Sequence, residues 1–205
     1  MKTTMKSFLV IIVLIIATAF TINPDKGYQV GDDAADFKLE NIDGKMVSMA
    51  NYSEAKGFII IFTCNTCPYS VANEDRIIAL DKKYKAKGYP VIAINPNDPK
   101  AIEGDDMADM KVRAEEKGFT FPYLVDKGQK VYPLYGATKT PHVYVIRKEG
   151  AKNIVEYIGA IDDSSRNPDT VTKKFVENAV DNLLAGKKPE VTYTRAIGCS
   201  IKTVK

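Results

Sequence analysis

The chain has 205 residues, of which 45% are hydrophobic and 27% charged, and its formal net charge at pH 7 is +3. This length and composition are typical of one compact domain with extensions, and they exclude a disordered or low-complexity protein. A charge this small does not indicate nucleic acid or an acidic membrane surface as a partner.

The N-terminus has the layout of a secretory signal peptide. Lys2 and Lys6 precede an uncharged run over residues 8–16, and the small residues 17–19 supply a cleavage site. The run is shorter than the roughly 20 residues of a membrane-spanning helix, so an uncleaved anchor is the less favoured alternative. We expect a signal peptide over residues 1–19, a linker over residues 20–30, and a mature protein that is periplasmic or secreted and not bound to a membrane. Cleavage removes both lysines and lowers the formal charge to +1.

A single domain is predicted over residues 31–186, and its first half alternates strands with a helix. The turn sequence Asp43-Gly44 between two short apolar segments predicts a hairpin. Residues 58–62 form a continuous apolar run, which is typical of a strand buried on both faces of a sheet. Helical spacing then continues from Pro68 to Lys87, and Gly88 is the expected stop.

The second half continues the alternation and ends in a tail. Further strands are predicted over residues 91–94, 142–146 and 154–158, and a strand or extended segment over 121–125. Helices are predicted over 105–117 and from Asn167-Pro168 to Gly186, with a short helical turn over 130–135. Residues 187–205 form the tail, which contains Cys199. Strands alternating with helices predict an α/β fold in which the first long helix packs on the central sheet.

Cys64 and Cys67 lie where the buried strand meets the following helix. In open α/β sheets this end of a strand is where ligands bind and chemistry occurs. Two intervening residues bring the sulfurs within reach of a reversible disulfide. We expect Cys64 to be the more exposed and to carry the attacking thiolate, because unpaired N–H groups and the helix dipole favour the anion there. Cys67 would then resolve a mixed disulfide formed on Cys64.

Two patterns in this chain resemble the thioredoxin superfamily. The first is the segment Phe62–Pro68 after a buried strand, followed much later by Thr140-Pro141 before another strand. The second is the lead that contains Gly31, Asp36-Phe37 and Asp43-Gly44, which resembles the hairpin of the redoxin branch, including AhpC/TSA-like and TlpA/ResA-like proteins. The resemblance covers about residues 31–186. It implies a thioredoxin-like fold, with a central mixed sheet flanked by helices and an N-terminal hairpin extension.

The resemblance also implies roles for particular residues. Pro141 would be a cis-proline that faces the disulfide, and Thr140 would offer backbone groups to an extended substrate segment. The loop over residues 162–167 would lie at the other end of the fold. With Cys64 and Cys67 as catalytic residues, the implied activity is that of an exported thiol-disulfide oxidoreductase. It would reduce or exchange disulfides in protein or small thiol substrates, exchange electrons with an upstream donor or acceptor, and need no cofactor or metal.

Departures from the family pattern define the main alternative and one gap. Gly57 and Ile61 stand where peroxiredoxins carry a proline and a threonine before the peroxidatic cysteine. These missing residues count against peroxide reduction, so a peroxiredoxin-like thiol peroxidase is the alternative function and not the favoured one. Phe58 and Ser70 stand where thioredoxins and ResA-like proteins, respectively, carry an acid. Glu74 is therefore the candidate proton-transfer partner of Cys67.

Three further interpretations of the cysteines stay open. One is a zinc site built from Cys64, Cys67, Cys199 and His142, and another is a Sco-like copper chaperone that uses two thiolates and a histidine. The third is a permanent structural disulfide. Since three cysteines leave one over, Cys199 is either an inert thiol or a third redox-active sulfur, and the resemblance of its surroundings implies a docked tail. His142 is more often a hydrogen-bonded strand histidine than a ligand.

Overall fold

The computed structural model describes residues 27–204. The predicted signal peptide and most of the predicted linker lie outside these residues. Tyr28, which was also predicted as linker, is buried, donates its backbone N–H to the Leu134 carbonyl, and packs edge-on against Tyr135 at 5.1 Å between ring centroids. The packing of the domain therefore begins before Gly31. Among the described residues, no helix is both long and apolar enough to cross a membrane.

Within residues 27–204 the strands form a seven-stranded sheet and a separate two-stranded one. The strands are β1 (Leu39–Asn41), β2 (Met46–Val47), β3 (Gly57–Phe62), β4 (Val91–Asn95), β5 (Tyr123–Val125), β6 (Lys139–Thr140), β7 (His142–Glu149), β8 (Lys152–Gly159) and β9 (Cys199–Ser200). The large sheet has the order β2-β1-β5-β4-β3-β7-β8, in which β3, β4 and β5 are parallel and the remaining pairs antiparallel. This confirms the predicted α/β fold with a mixed central sheet and an N-terminal hairpin.

The helices are shorter than the sequence predicts. They are α1 (Pro68–Val71), α2 (Glu74–Tyr84), α3 (Met107–Lys117), α4 (Tyr132–Tyr135) and α5 (Phe175–Leu184), with 3-10 turns at Met49–Asn51, Lys85–Lys87 and Pro168–Thr170. The predicted helix over 68–87 is interrupted at Asn73, whose side-chain amide donates to the Tyr69 and Ser165 carbonyls. Such side-chain bonds compete with the helical pattern of the backbone. The last helix begins later than predicted, since the backbone N–H of Thr172 donates to Asp163 instead of continuing a helix.

Strand β3 is the centre of the core. Its residues Phe58 to Phe62 are all fully buried. Ile59 and Ile61 belong to a cluster with residues of α2, α3 and α5, whereas the other three side chains join an aromatic cluster on the opposite face. Burial of each such side chain contributes about 1.5–3 kcal/mol relative to exposure. The strand is thus held from both faces, and this fixes the position of the cysteines that follow it.

Candidate active site

Both cysteines of the predicted pair lie at the carboxyl end of β3. Thr63 extends the strand, because its N–H donates to the Ile94 carbonyl at 2.9 Å. Cys67 is the N-cap of α1, and Pro68 takes the first helical position, where a missing N–H leaves no hydrogen bond unmade. This local sequence turns the chain directly from a buried strand into a short helix and keeps both sulfurs at the junction.

Thr140 lies against both sulfurs. The Thr140–Pro141 peptide bond is cis, as the resemblance implies. The Thr140 hydroxyl oxygen is 3.3 Å from Cys64 Sγ, and the Thr140 carbonyl oxygen is 3.0 Å from Cys67 Sγ and accepts its hydrogen bond. The structure therefore brings Thr140 against both cysteines, although it comes from a distant part of the chain.

The electrostatics of the pair differ from the prediction. The exposed fractions are 3% for Cys64 and 2% for Cys67, so the expected exposure of Cys64 is not found. The hydrogen bond between the sulfurs raises the pKa of Cys64, and its burial and the Asp105 carboxylate act in the same direction. The same hydrogen bond lowers the pKa of Cys67. Because the two thiols affect each other's ionisation in this way, the first ionisation belongs to the pair, and the resting thiolate is not confined to Cys64 as predicted.

Asp105 holds the residues between the two cysteines. Its fully buried carboxylate accepts hydrogen bonds from the Asn65 backbone N–H at 2.7 Å, the Thr66 hydroxyl at 2.8 Å and the Asn97 side-chain amide at 2.7 Å. The sequence showed Asp105 only as an acidic residue at the start of a predicted helix. It carries no local signal for this contact, since nearly 40 residues separate it from the cysteine loop.

Glu74 does not contact the sulfurs. Its buried carboxylate accepts two hydrogen bonds from the Arg113 guanidinium, at 2.7 and 2.8 Å, and also lies near Lys117. The prediction that Glu74 is the proton-transfer partner of Cys67 is therefore wrong, because both of its carboxylate oxygens bind Arg113 in an ion pair between α2 and α3. The hydroxyl oxygen of Ser70, also fully buried, is 3.9 Å from Cys64 Sγ.

The loop over residues 162–167 lies beside the active-site helices and not at the other end of the fold. Arg76 of α2 donates to both carboxylate oxygens of Asp162, at 2.8 and 2.7 Å. Asn73 donates to the Ser165 carbonyl at 2.9 Å. These contacts tie the loop to the break between α1 and α2, which the sequence pattern did not show.

His142 is a hydrogen-bonded strand residue. It is 7% exposed, and its Nδ1 accepts from the Thr138 backbone N–H at 3.4 Å. Burial lowers the pKa of His142 to about 4. In the part of the chain that the structure describes, no three His, Cys, Asp or Glu side chains are grouped to hold a metal ion. The residues of the zinc and copper alternatives are thus not assembled as a ligand set.

The C-terminal tail is docked on this site. Strand β9 pairs antiparallel with β6, so that Cys199 lies opposite Thr140 and Ser200 opposite Lys139. The Cys199 backbone N–H donates to Cys67 Sγ at 3.4 Å. The tail therefore contacts the cysteine pair, as the resemblance of its sequence implies.

Known proteins share both the sequence pattern and the fold. The profile of the AhpC/TSA family matches residues 30–157. The thiol-disulfide oxidoreductase ResA of Bacillus anthracis is 29% identical over 165 residues, which cover 77% of this chain and 90% of that protein. The crystal structure of an uncharacterized conserved protein from Geobacillus kaustophilus is 34% identical, with a TM-score of 0.79 and coverage of 86% of this chain and 93% of that one.

A more distant structure identifies the fold. A thiol:disulfide interchange protein of the thioredoxin family from Chlorobium tepidum TLS superposes with a TM-score of 0.50 at 19% identity, over 62% of this chain and 85% of that one. The fold is accordingly thioredoxin-like, as the sequence implies. Since the family profile spans more than half of the chain and the strand and cysteine pattern agree with it, the chain belongs to the AhpC/TSA family.

Proposed function

We propose that this protein is an exported thiol-disulfide oxidoreductase that reduces or exchanges disulfides in protein or small thiol substrates through Cys64 and Cys67. The observation that carries the proposal is the contact of both sulfurs with Thr140 at the junction of β3 and α1. Similarity to ResA, which is named a thiol-disulfide oxidoreductase, supports it.

The contacts assign an order to the two sulfurs. Cys67 Sγ is enclosed by the Thr140 carbonyl and the Cys199 backbone N–H, whereas the contacts of Cys64 Sγ outside the pair are the rotatable hydroxyls of Thr140 and Ser70. Of the two sulfurs of the pair, Cys64 is therefore the less enclosed, and we assign it the attack on the substrate. When the pair has lost its first proton, the remaining proton is held on Cys67, which donates it to the Thr140 carbonyl, and Cys64 attacks as the thiolate.

The reaction then has two exchange steps. The Cys64 thiolate attacks one sulfur of a substrate disulfide, forms a mixed disulfide and releases the other substrate sulfur as a thiolate. Cys67 next loses its proton and attacks the Cys64 sulfur, which forms the Cys64–Cys67 disulfide and releases the second substrate thiolate. The substrate gains two electrons and the protein loses them. The reverse sequence oxidises a dithiol substrate, and the reduction potential of the pair decides the direction.

Export is part of the proposal and rests on the sequence of residues 1–19. Two lysines, a short apolar run and a small-residue cleavage site are typical of a secretory signal. An oxidising compartment would allow the pair to cycle through a disulfide. Mass spectrometry of the mature protein from its native host should find an N-terminus near residue 20, and a retained Met1 would contradict export by cleavage.

A trapping experiment tests the attacking sulfur. The variant Cys67→Ser/Cys199→Ser retains Cys64 alone and should form a stable mixed disulfide when mixed with oxidised glutathione. The matched variant Cys64→Ser/Cys199→Ser retains Cys67 alone and should react more slowly, because Cys67 Sγ is enclosed. Faster reaction of the second variant would reverse the assigned roles, and no adduct on either variant would refute the proposed function.

Two further measurements separate the activities. Equilibration of the wild-type protein with glutathione buffers gives the reduction potential of the pair, which shows whether it donates or accepts electrons. Consumption of hydrogen peroxide with dithiothreitol as reductant should not depend on Cys64. A peroxidase rate that is lost in Cys64→Ser would establish the peroxiredoxin-like alternative instead.

A further inference from the structure

The tail is attached on both sides of the cysteine pair. Upstream, the Thr194 backbone N–H donates to the Ile158 carbonyl at 3.0 Å, and the Thr194 hydroxyl oxygen accepts from the Ala160 N–H at 3.0 Å. Downstream, the Lys202 N–H donates to the Asn97 side-chain oxygen at 2.9 Å. Between these attachment points the two-residue strand β9 pairs with β6 beside the cysteines, so the position of Cys199 is set by the fold.

Gly198 brings the tail backbone close to Thr140. A Cβ atom at position 198 would lie 2.1 Å from the Thr140 carbonyl oxygen and 2.7 Å from its carbonyl carbon. No side chain fits at these distances, so glycine is required for this approach. The edge that the resemblance assigns to an extended substrate segment is therefore occupied by the protein's own cysteine-containing strand.

Cys67 interacts with both of the other cysteines. Its sulfur accepts the Cys199 backbone N–H at 3.4 Å, and the interactions of its side chain with those of Cys64 and Cys199 raise the pKa of both of those thiols. Cys64 and Cys67 are almost fully buried, whereas Cys199 is half-buried. Of the three sulfurs, Cys199 is the one that an external thiol can reach without displacement of the tail.

We propose that Cys199 is a third redox cysteine, which exchanges with the Cys64–Cys67 disulfide from within the docked tail. This inference rests on the proposed function, because the disulfide that it consumes is formed by that reaction. In the exchange the Cys199 thiolate attacks the Cys67 sulfur, the Cys67–Cys199 bond forms, and the Cys64–Cys67 bond breaks to release the Cys64 thiolate. The Cys199 proton goes to solvent and Cys64 takes one up. The number of disulfides is unchanged, with Cys199 oxidised and Cys64 reduced.

The ionisation of Cys199 changes with the state of the pair. Burial raises the pKa of Cys199 to about 11, and the hydrogen bond with Cys67 and its negative charge act in the same direction, while Lys202 and Arg166 oppose them. In the reduced protein Cys199 is therefore a thiol. Once Cys67 is in a disulfide its charge is gone, and the Cys199 thiolate forms more readily. The Cys199 thiolate thus forms more readily when the Cys64–Cys67 disulfide, which it attacks, is present.

Trypsin separates the two disulfides by mass. Cleavage after Lys56 and Arg76 places Cys64 and Cys67 in one peptide, residues 57–76, and cleavage after Arg195 and Lys202 places Cys199 in residues 196–202. A Cys64–Cys67 bond stays within the first peptide, whereas any bond to Cys199 links the two peptides. The full chain is oxidised with oxidised glutathione, alkylated with N-ethylmaleimide and digested without reductant.

The variants assign the linked sulfur. Wild-type protein should give both the internal disulfide and the linked peptides, Cys64→Ser should give the linked peptides as its main product, and Cys67→Ser should lose them. If wild-type protein forms the internal disulfide while Cys64→Ser gives no linked peptides, the exchange is refuted and the proposed function stands. If wild-type protein forms neither disulfide, the proposed function itself fails.

A displaced thiol controls for random collision. In the Cys64→Ser background, Cys199→Ser combined with Ser200→Cys moves the thiol by one residue to the opposite face of β9. The yield of linked peptides should fall on the order of tenfold or more, because an attacking sulfur must be oriented toward the sulfur that it attacks. Equal yields from the two registers would show that the tail reacts as a flexible chain, which would overturn the inference. Far-UV circular dichroism of each variant confirms that the domain is folded.

Discussion

Replacement of Asp105 by asparagine should weaken the connection between the cysteine loop and the tail. Asparagine keeps one oxygen that can accept from the Asn65 N–H, and it turns an NH2 group toward Thr66 and Asn97. The Thr66 hydroxyl can rotate and accept this group. The Asn97 amide cannot accept a hydrogen bond from this NH2 group, because its nitrogen is the donor in the native contact and its oxygen already accepts from the Lys202 N–H at 2.9 Å.

The structure sets the size of this effect. One hydrogen bond to a charged group is lost, and two buried N–H groups are left facing each other. A bond of this kind contributes about 1.5–3 kcal/mol, so we expect Asp105→Asn to lower the free energy of unfolding by about 2–3 kcal/mol. Asp105→Ala removes the acceptor of all three bonds and should cost more. The Asp105 charge also raises the pKa of Cys64, so its neutralisation should lower that pKa while the fold loses stability.

Urea unfolding of the reduced protein measures the first effect. The chain contains no tryptophan, so the transition is followed by far-UV circular dichroism. Alkylation of the thiols by iodoacetamide as a function of pH measures the second effect. Stability unchanged within about 0.5 kcal/mol, the usual range for a surface substitution, would refute the role of Asp105.

The neighbouring residue supplies a matched control. Asp106 is the exposed N-cap of α3 and accepts from the Asp109 N–H at 2.9 Å. Asparagine caps a helix about as well as aspartate, so Asp106→Asn should change stability by less than about 0.5 kcal/mol. Equal losses in both variants would show that the effect is one of net charge and not of the hydrogen bonds.

Three further substitutions test other parts of the site. Thr140→Val removes the hydroxyl that lowers the pKa of Cys64, so alkylation of that thiol at neutral pH should slow, and an unchanged rate would contradict the contact. His142 is the chain's single histidine and stays neutral to about pH 4 when folded. Its titration has no effect on stability above about pH 6.5, but between pH 6.5 and 4 the unfolded state binds a proton that the folded state does not. Urea unfolding should therefore show a loss of about 3 kcal/mol over this range, with a smaller slope in His142→Asn. Glu74→Gln breaks the buried pair with Arg113 and should cost about 3 kcal/mol, while the pH profile of thiol alkylation stays the same; a shifted profile would restore Glu74 as a proton-transfer residue.

Strong local patterns predicted their elements well. The uninterrupted apolar run 58–62 predicted β3, which is buried on both faces, because a central strand flanked by helices removes consecutive large side chains from water on both sides. Helix α3 also ends where Gly118 predicts, with that glycine in the left-handed conformation. In both elements the signal that predicts the element lies within a few consecutive residues.

Weaker patterns failed where side chains bind the backbone. The break at Asn73 and the late start of α5 follow from hydrogen bonds of Asn73 and Asp163 with residues in other segments. Helical spacing of apolar residues continues through both places and contains no sign of these bonds. The boundaries were therefore decided by partners that the local sequence does not identify.

The sequence by itself determined that two cysteines, separated by two residues, stand at the junction of a buried strand and a helix, and this spacing allows a reversible disulfide. Only the tertiary structure decided what surrounds them. Thr140 reaches Cys64 across 76 positions, and Cys199 reaches Cys67 across 132. Contacts between residues so far apart in the sequence depend on the path of the whole chain through the sheet, and no local pattern of residues predicts that path. The enclosure of the pair by its own tail is therefore a property of the fold.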